Sequence, residues 1–290
     1  MFTFVTVAHS VDEEALCFQA RSMARYLPEY MVSDILVVDN SDASGTLNHT
    51  KVVAHYGPLK ASVSFLSNRD ITPAKVGSGW LAQQVLKLQI AERVKTPKYI
   101  LLDAKNHIVF PLEREFLETK DGKLLSYYGN FSKHPLDHCL RRVLEYLDLS
   151  PTHMTKFPPT GTPFTMVTKL VLEMMHYLEC REKRPWWETF LEGRFTEFLE
   201  GRFTEFFVYS GYLILTHQLH SNYSFQESVE STIWETNQFP DDVRRAIART
   251  EEKRLPFFSI HRRAIPLLDN QSKAMLAAFW KRRELEGLWH

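Results

Sequence analysis

Asp103, Lys105, Asn106 and His107 follow directly on the apolar run Tyr99-Ile100-Leu101-Leu102. An acid, a base, an amide and an imidazole side by side can hold a cation, offset charge on a phosphate or move a proton. A short apolar run ending in such a cluster predicts a buried strand with a site at its carboxyl end, where ligands of open α/β sheets bind. Asp39 closes a second apolar run, Ile35-Leu36-Val37-Val38, and is predicted on the same sheet edge. Each acid can equally cap the turn that follows it, and the spacing leaves both readings open.

Further polar residues fall on predicted helices. Gln83 and Lys87 are four apart and share a face, with Gln84 turned about 100° away. The preceding Gly77-Ser78-Gly79 opens that helix with free backbone N–H groups suited to an anion. Glu205 and Tyr209 are also four apart, and Tyr212 extends their face. His134 and His138 have the spacing of a zinc pair, but Pro135 lies between them and no third ligand is evident. His217 and His220 sit in an apolar stretch, where a core or capping role is expected. No nucleophile elbow, Walker loop or G-x-G-x-x-G occurs, which argues against an NAD(P) oxidoreductase.

The elements that must position these residues alternate in the first 110 residues. Strands are predicted at Phe2 to Val7, Asp34 to Asp39, Ala61 to Leu66 and Tyr99 to Leu102, and helices from Asp12 to Tyr26 and from Trp80 to about Val94. Asn40 to Gly45 is a turn-forming loop. Such alternation predicts an α/β fold with a mainly parallel sheet flanked by helices and, beyond it, a helix-rich C-terminal half. Helical stripes run through Leu136 to Leu147 and Val167 to Leu178, then from Trp186 to about His220 and Ser272 to Leu285. Phe190 to Glu197 is repeated without change as Phe198 to Glu205. Eight residues turn a helix by roughly 80° beyond two full turns, so the copy must rotate one side or bulge out.

The chain has 290 residues, 44% hydrophobic and 24% charged, with 35 basic against 35 acidic side chains. That balance gives no electrostatic case for nucleic acid, with Lys253-Arg254 and Arg262-Arg263 one candidate for a local basic patch. Cys17, Cys139 and Cys180 are far apart and form no CxxC pair, which fits a reducing compartment. No apolar run approaches the ~20 residues of a membrane helix, and Phe2 to Ala8 is too short for a signal peptide. A cytoplasmic protein is expected, at most peripheral at the inner membrane face.

The opening strand, the Val-Val-Asp strand end and the acid closing a later strand resemble the GT-A glycosyltransferase fold. Gly79-Trp80-Leu81-Ala82-Gln83-Gln84-Val85-Leu86-Lys87-Leu88 resembles the G-W-x-x-Q-Q-x-x-K-L helix of a little-characterised bacterial GT-A-like family, whose T-E-[FY]-x-x-Y segment matches Thr204 to Tyr209. The resemblance covers Phe2 to His261 and implies one GT-A-like domain, residues 1–290, with a nucleotide-sugar-binding half at 1–110 and an acceptor-side half at 111–290. It implies a transferase moving a sugar from a nucleotide-sugar donor to a glycan or other hydroxyl acceptor, in cell-surface polysaccharide synthesis. The alternative is a non-catalytic nucleotide- or glycan-binding protein on the same fold.

On this resemblance Asp39 contacts the base or ribose. Gln83, Gln84, Lys87, Lys105 and Asn106 line the donor, and Asp103 handles its diphosphate. Glu205 is the catalytic base, preferred over Glu197 because only Glu205 precedes Tyr209, and Thr162 and Tyr209 lie on the acceptor side. The family's usual strand-end motif is D-x-D, whose carboxylates hold manganese or magnesium on the diphosphate. Here Lys105 stands in place of the second acid. Either the lysine is itself the cation facing the phosphates, which is favoured, or it points away and Asp103 binds a metal with Asn106, His107 or His261.

Overall fold

The apolar runs that end at Asp39 and Leu102 become largely buried strands, and each is followed by a turn. The computed structural model describes residues 1–41, 45–72, 76, 79–191 and 203–285. In chain order the elements are β1 (Phe2–Ala8), α1 (Glu13–Tyr26), β2 (Val32–Asp39), α2 (His49–Ala54), β3 (Val63–Ser67), α3 (Asn68–Ile71), α4 (Trp80–Gln89), β4 (Lys98–Leu102), β5 (Asn106–Ile108), β6 (Leu124–Ser126) and α5 (Asp137–Tyr146). They continue with β7 (Phe164–Val167), α6 (Thr168–Glu182), α7 (Trp186–Leu191), α8 (Glu205–Leu215), α9 (Leu219–Asn222), β8 (Tyr223–Phe225), β9 (Glu230–Ile233), α10 (Asp241–Glu252), β10 (Phe257–Ile260) and α11 (Asn270–Arg282). The architecture is mixed α/β, with a mainly parallel central sheet flanked by helices.

The chain forms two compact units. The first comprises Met1–Phe65, Leu102–Phe116 and Ser228–His290; the second comprises Leu66–Leu101 and Leu117–Glu227.

In the first unit every residue of β1 is buried, as expected of a parallel strand covered on both faces. It pairs in parallel with β2, from Thr3 opposite Asp34 to Ala8 opposite Asp39. Glu13 and Glu14 open α1 and Arg25 closes it, each sign at the helix end whose dipole it complements. β10 pairs antiparallel with β5 and parallel with β9. These strands, α1, α10 and α11 enclose a core that includes Phe18, Ile233, Phe258, Leu276 and Trp280. Asp269 caps α11 by accepting from the Ser272 N–H at 2.6 Å.

In the second unit β4 and β7 run antiparallel, with Tyr99 opposite Met166, and β6 pairs in parallel with β8. Phe207 of α8 packs its ring edge-on against Phe131 and Phe157, with centroids 5.0 and 5.8 Å away. Gly211 lets α8 lie close to α5: a Cβ there would sit 2.6 Å from Leu147 Cδ1. The Trp186 indole of α7 donates to Gln89 Oε1 of α4 at 3.0 Å.

Most predicted elements appear within a few residues of their expected bounds. Two differ for physical reasons. Asn106 and His107, expected as site residues beyond a strand, begin β5, because β10 supplies a distant pairing partner. The helix expected from Trp186 to His220 is not continuous. Among the described residues α7 ends at Leu191, α8 starts after the Thr204 cap, and a turn at Thr216 to Gln218 separates α8 from α9. Asp42 to Ser44, Gly77-Ser78 and residues 192–202, which hold Glu197 and most of the tandem copy, lie outside the described residues.

Candidate active site

Beyond β4 the chain makes a tight turn from Asp103 to Asn106, closed by the Asn106 N–H on the Asp103 carbonyl at 2.9 Å. The Asn106 side chain fixes it from inside. Its Oδ1 accepts from the Asp103 N–H at 2.7 Å, and its Nδ2 donates to Ser259 Oγ of β10 at 2.8 Å. Gln19 of α1 donates to the carbonyls of Asp103 (2.7 Å) and Asn106 (3.0 Å), and its Oε1 accepts from Thr6 of β1 at 2.9 Å. Two strands and a helix therefore set the direction in which Asp103 and Lys105 leave the turn. Lys105 Nζ bonds Asp103 Oδ2 at 2.5 Å. The partly exposed Lys105 also lies 5.5 Å from the centre of the Trp234 ring, within cation–π reach.

Glu230 opens β9 beside this pair. The residue is half-buried, and burial of its carboxyl pushes it up to about 7. Lys105 and a hydrogen bond from Thr232 at 3.1 Å pull down against that burial, while Asp103 adds to the rise. Arg249 of α10 anchors the strand by donating to the Ser228 carbonyl at 3.0 Å and to Ser231 Oγ at 3.1 Å. Trp234, just past β9, is 40% exposed, so one large aromatic surface faces solvent next to an acid and an ammonium. His261 lies against it, ring centres 5.0 Å apart, and contacts Glu235 Oε2 through Nδ1 at 2.8 Å. Burial holds the His261 imidazole below its ordinary value, against the pull of Glu235.

The remaining predicted residues of the first unit have structural partners. Asp39 is 7% exposed, and its two oxygens accept from the N–H groups of Ser41 (2.9 Å) and Leu47 (3.1 Å). Of the two readings the sequence leaves open, this geometry is the turn-capping one. Asn106 is fully enclosed, and its amide shapes the turn. His107 is equally buried, edge-on to Phe18 at 4.5 Å and to Trp280 at 6.1 Å, and burial drives its ring down to about 3. It is a neutral residue of the core.

In the second unit Gln84, Lys87 and Glu205 come together. Lys87 Nζ and Glu205 Oε1 form an ion pair at 3.1 Å, with side chains only 5% and 2% exposed. Gln84 Oε1 accepts from the Glu205 N–H at 3.1 Å, satisfying a donor in the first turn of α8. The Lys87 ammonium also lies 5.0 Å from the centre of the Phe206 ring. Gln84 and Lys87, three apart, thus face α8 together, whereas Gln83 is partly exposed. The base role expected for Glu205 meets an enclosed carboxylate already bound to a cation. Tyr209 is likewise internal: its hydroxyl accepts from the Val167 N–H at 3.1 Å and bonds the Tyr223 hydroxyl at 3.0 Å. Thr162, expected on the acceptor side, is 1% exposed.

Sequence reasoning missed Glu230 and Trp234. The β-branched run Val229 to Ile233 signals a strand, but nothing local marks Glu230 as a neighbour of Lys105. Among the described residues no group of three or more His, Cys, Asp or Glu side chains is placed to hold a metal ion.

Residues 9–241 match the family described as "Family of unknown function (DUF6492)". No curated protein matches the sequence. Among solved structures, the galactosyltransferase LgtC in complex with donor and acceptor sugar analogs is similar at 10% identity with a TM-score of 0.52, over 97% of this chain and 100% of that one. The apo structure of the bifunctional glycosyltransferase WbbM is similar at 10% identity with a TM-score of 0.51, over 89% of this chain but only 45% of that one. At such identity these likenesses establish the fold, which is that of GT-A glycosyltransferases.

Proposed function

The chain belongs to DUF6492, a family of unknown function, and from its fold we propose that it is a glycosyltransferase moving a sugar from a nucleotide-sugar donor to a hydroxyl acceptor. The observation that carries the reading is the cluster at the end of β4: an ammonium bound to one carboxylate, beside a second carboxyl held near neutrality and an exposed indole.

The reaction breaks the bond between the anomeric carbon and the diphosphate oxygen and forms one from that carbon to the acceptor oxygen. Negative charge grows on the leaving diphosphate, and Lys105 offsets it. Asp103 orients the ammonium and accepts from a sugar hydroxyl. Glu230, poised near the pH of the reaction, takes the acceptor's proton as its oxygen attacks. Trp234 covers the apolar face of a sugar ring. Asn106 and Asp39 hold the loops beneath the donor, and the Gln84, Lys87 and Glu205 group joins α4 to α8 as a frame. The GT-A resemblance implies a divalent cation on the diphosphate. The residues present do not fit one: the Lys105 ammonium already occupies Asp103 Oδ2, and His261 is turned to Glu235. No step here runs through a metal. The acceptor is a glycan of cell-surface polysaccharide synthesis, and the free thiols Cys17, Cys139 and Cys180 accord with a cytoplasmic site.

The test is thermal stabilisation by a panel of nucleotide sugars, each with manganese or EDTA, followed by release of nucleoside diphosphate. Ligand at 100 times Kd stabilises by about 2.7 kcal/mol. Stabilisation that persists in EDTA and weakens roughly 10- to 100-fold in Lys105→Ala is expected, as for one charged hydrogen bond. Binding that requires manganese would overturn the role of Lys105. Binding without turnover across donors and acceptors would favour the non-catalytic alternative, and no binding at all would remove both.

A further inference from the structure

A cavity of about 480 Å³ opens wholly within the second unit. Its floor is apolar, from Leu213, Ile214 and Leu219, and its polar lining comes from Lys156, His153, His217, His220, Tyr128 and Thr152. No aspartate or glutamate lines it. Lys156 Nζ sits 4.6 Å from the centre of the Tyr128 ring, and that ring stacks on Phe225 at 3.8 Å, so the ammonium is held at the rim by a rigid aromatic pair. Among the described residues no hydrogen bond or ion pair engages the side chains of Lys156, His153, His217 or His220. Four nitrogen-bearing side chains therefore border one concave space; ring contacts hold Lys156, His153 and His220, with Tyr128, Phe157 and Phe225 respectively, and leave their nitrogens without a hydrogen-bond acceptor among the described residues.

The backbone at His217 adds an independent observation. α8 ends in a paired closure in which the Gln218 N–H meets the Leu213 carbonyl at 2.8 Å and the His217 N–H meets the Ile214 carbonyl at 3.1 Å. This is the Schellman arrangement, whose left-handed position favours glycine. Here it is occupied by His217 at φ 57°, and its exposed imidazole borders the cavity. Four other non-glycine residues among those described share a positive φ; what sets His217 apart is that its imidazole lines a cavity.

We infer that this cavity binds a small anion of sugar-phosphate or uronate size, with Lys156 and the three imidazoles on its phosphate or carboxylate and the apolar floor under its ring. The site shares no residue with the Asp103 cluster, and the inference does not depend on the transfer reaction.

Isothermal titration with glucose 6-phosphate, glucuronate, inorganic phosphate and neutral glucose tests it. One of the two anionic sugars is expected to bind saturably and more tightly than phosphate, with glucose silent. Which of the two binds separates a phosphate from a carboxylate ligand. Lys156→Ala should weaken that binding at least 5-fold. His217→Gly should also weaken it while leaving Tm unchanged or raised, which loss of a merely structural residue would not do. Nucleotide-sugar affinity should be unchanged in both variants, so failure here is distinguishable from failure of the proposed transfer. The inference is overturned if neither anionic sugar binds, if phosphate alone binds as tightly, or if the double variant Lys156→Ala/His217→Gly binds as the parent does.

Discussion

Replacing Glu230 by Gln isolates the ionisation on which the proposed base depends. Burial raises the Glu230 carboxyl from 4.5 to about 7, so the folded state favours the neutral acid. A carboxyl raised on folding contributes stability that is fully present below its unfolded value and is lost as pH rises through the folded one. At 1.36 kcal/mol per unit, the shift sets a ceiling of about 3 kcal/mol lost by the parent between pH 4.5 and pH 8. Partial exposure of the side chain lowers the expected loss to about 1–2 kcal/mol. The amide introduced by Glu230→Gln cannot ionise and escapes the loss. Urea unfolding of both proteins should therefore show their stability difference moving in favour of Glu230→Gln by about 1–2 kcal/mol from pH 5 to pH 8. The parent's sugar transfer should run the other way, rising with pH through 7 as the base deprotonates, and should fall at least 100-fold in Glu230→Gln. A stability difference that is flat with pH, or that moves in favour of the parent, would refute the account of Glu230.

Two further substitutions test the second unit. Lys87→Met removes one partner of a buried ion pair and should cost about 3–5 kcal/mol in urea unfolding, with Lys87→Met/Glu205→Gln recovering part of it; a single-variant cost below about 1 kcal/mol would contradict the enclosed geometry. Gly211→Ala places a methyl 2.6 Å from Leu147 Cδ1 and 3.2 Å from Val143 Cγ1. It should lower stability by about 1–3 kcal/mol despite the better helix propensity of alanine, and a raised Tm would show that α5 and α8 separate freely.

The local signals in the sequence were sufficient for β2 and β4, because an apolar run ending in aspartate states both the burial and its limit. They were sufficient for α1 and α11, where helical periodicity marks each helix to within a few residues. They failed at β5, whose three residues are a strand only because Phe257 to Ser259 pair with them from far along the chain. They failed at His217, where a left-handed turn lacks the glycine that would announce it. The Gln83 and Lys87 spacing suggested one face of α4, but contact with Glu205 selects Gln84 instead. The candidate site was legible in half. Asp103 and Lys105 carry a sequence pattern, whereas Glu230 gains its meaning from a neighbour that only folding supplies.

The bond from Asn106 to Ser259 that locks the Asp103 turn joins residues 153 positions apart. Translation at 5–20 residues per second separates their synthesis by roughly 8–30 s. Through that interval the nascent chain carries Asp103 and Lys105 without the strand that fixes their turn, and without Glu230 or Trp234. The cluster is consequently assembled only once the segment from Glu230 to Ser259 has been made, so any activity that depends on it cannot precede the synthesis of that segment.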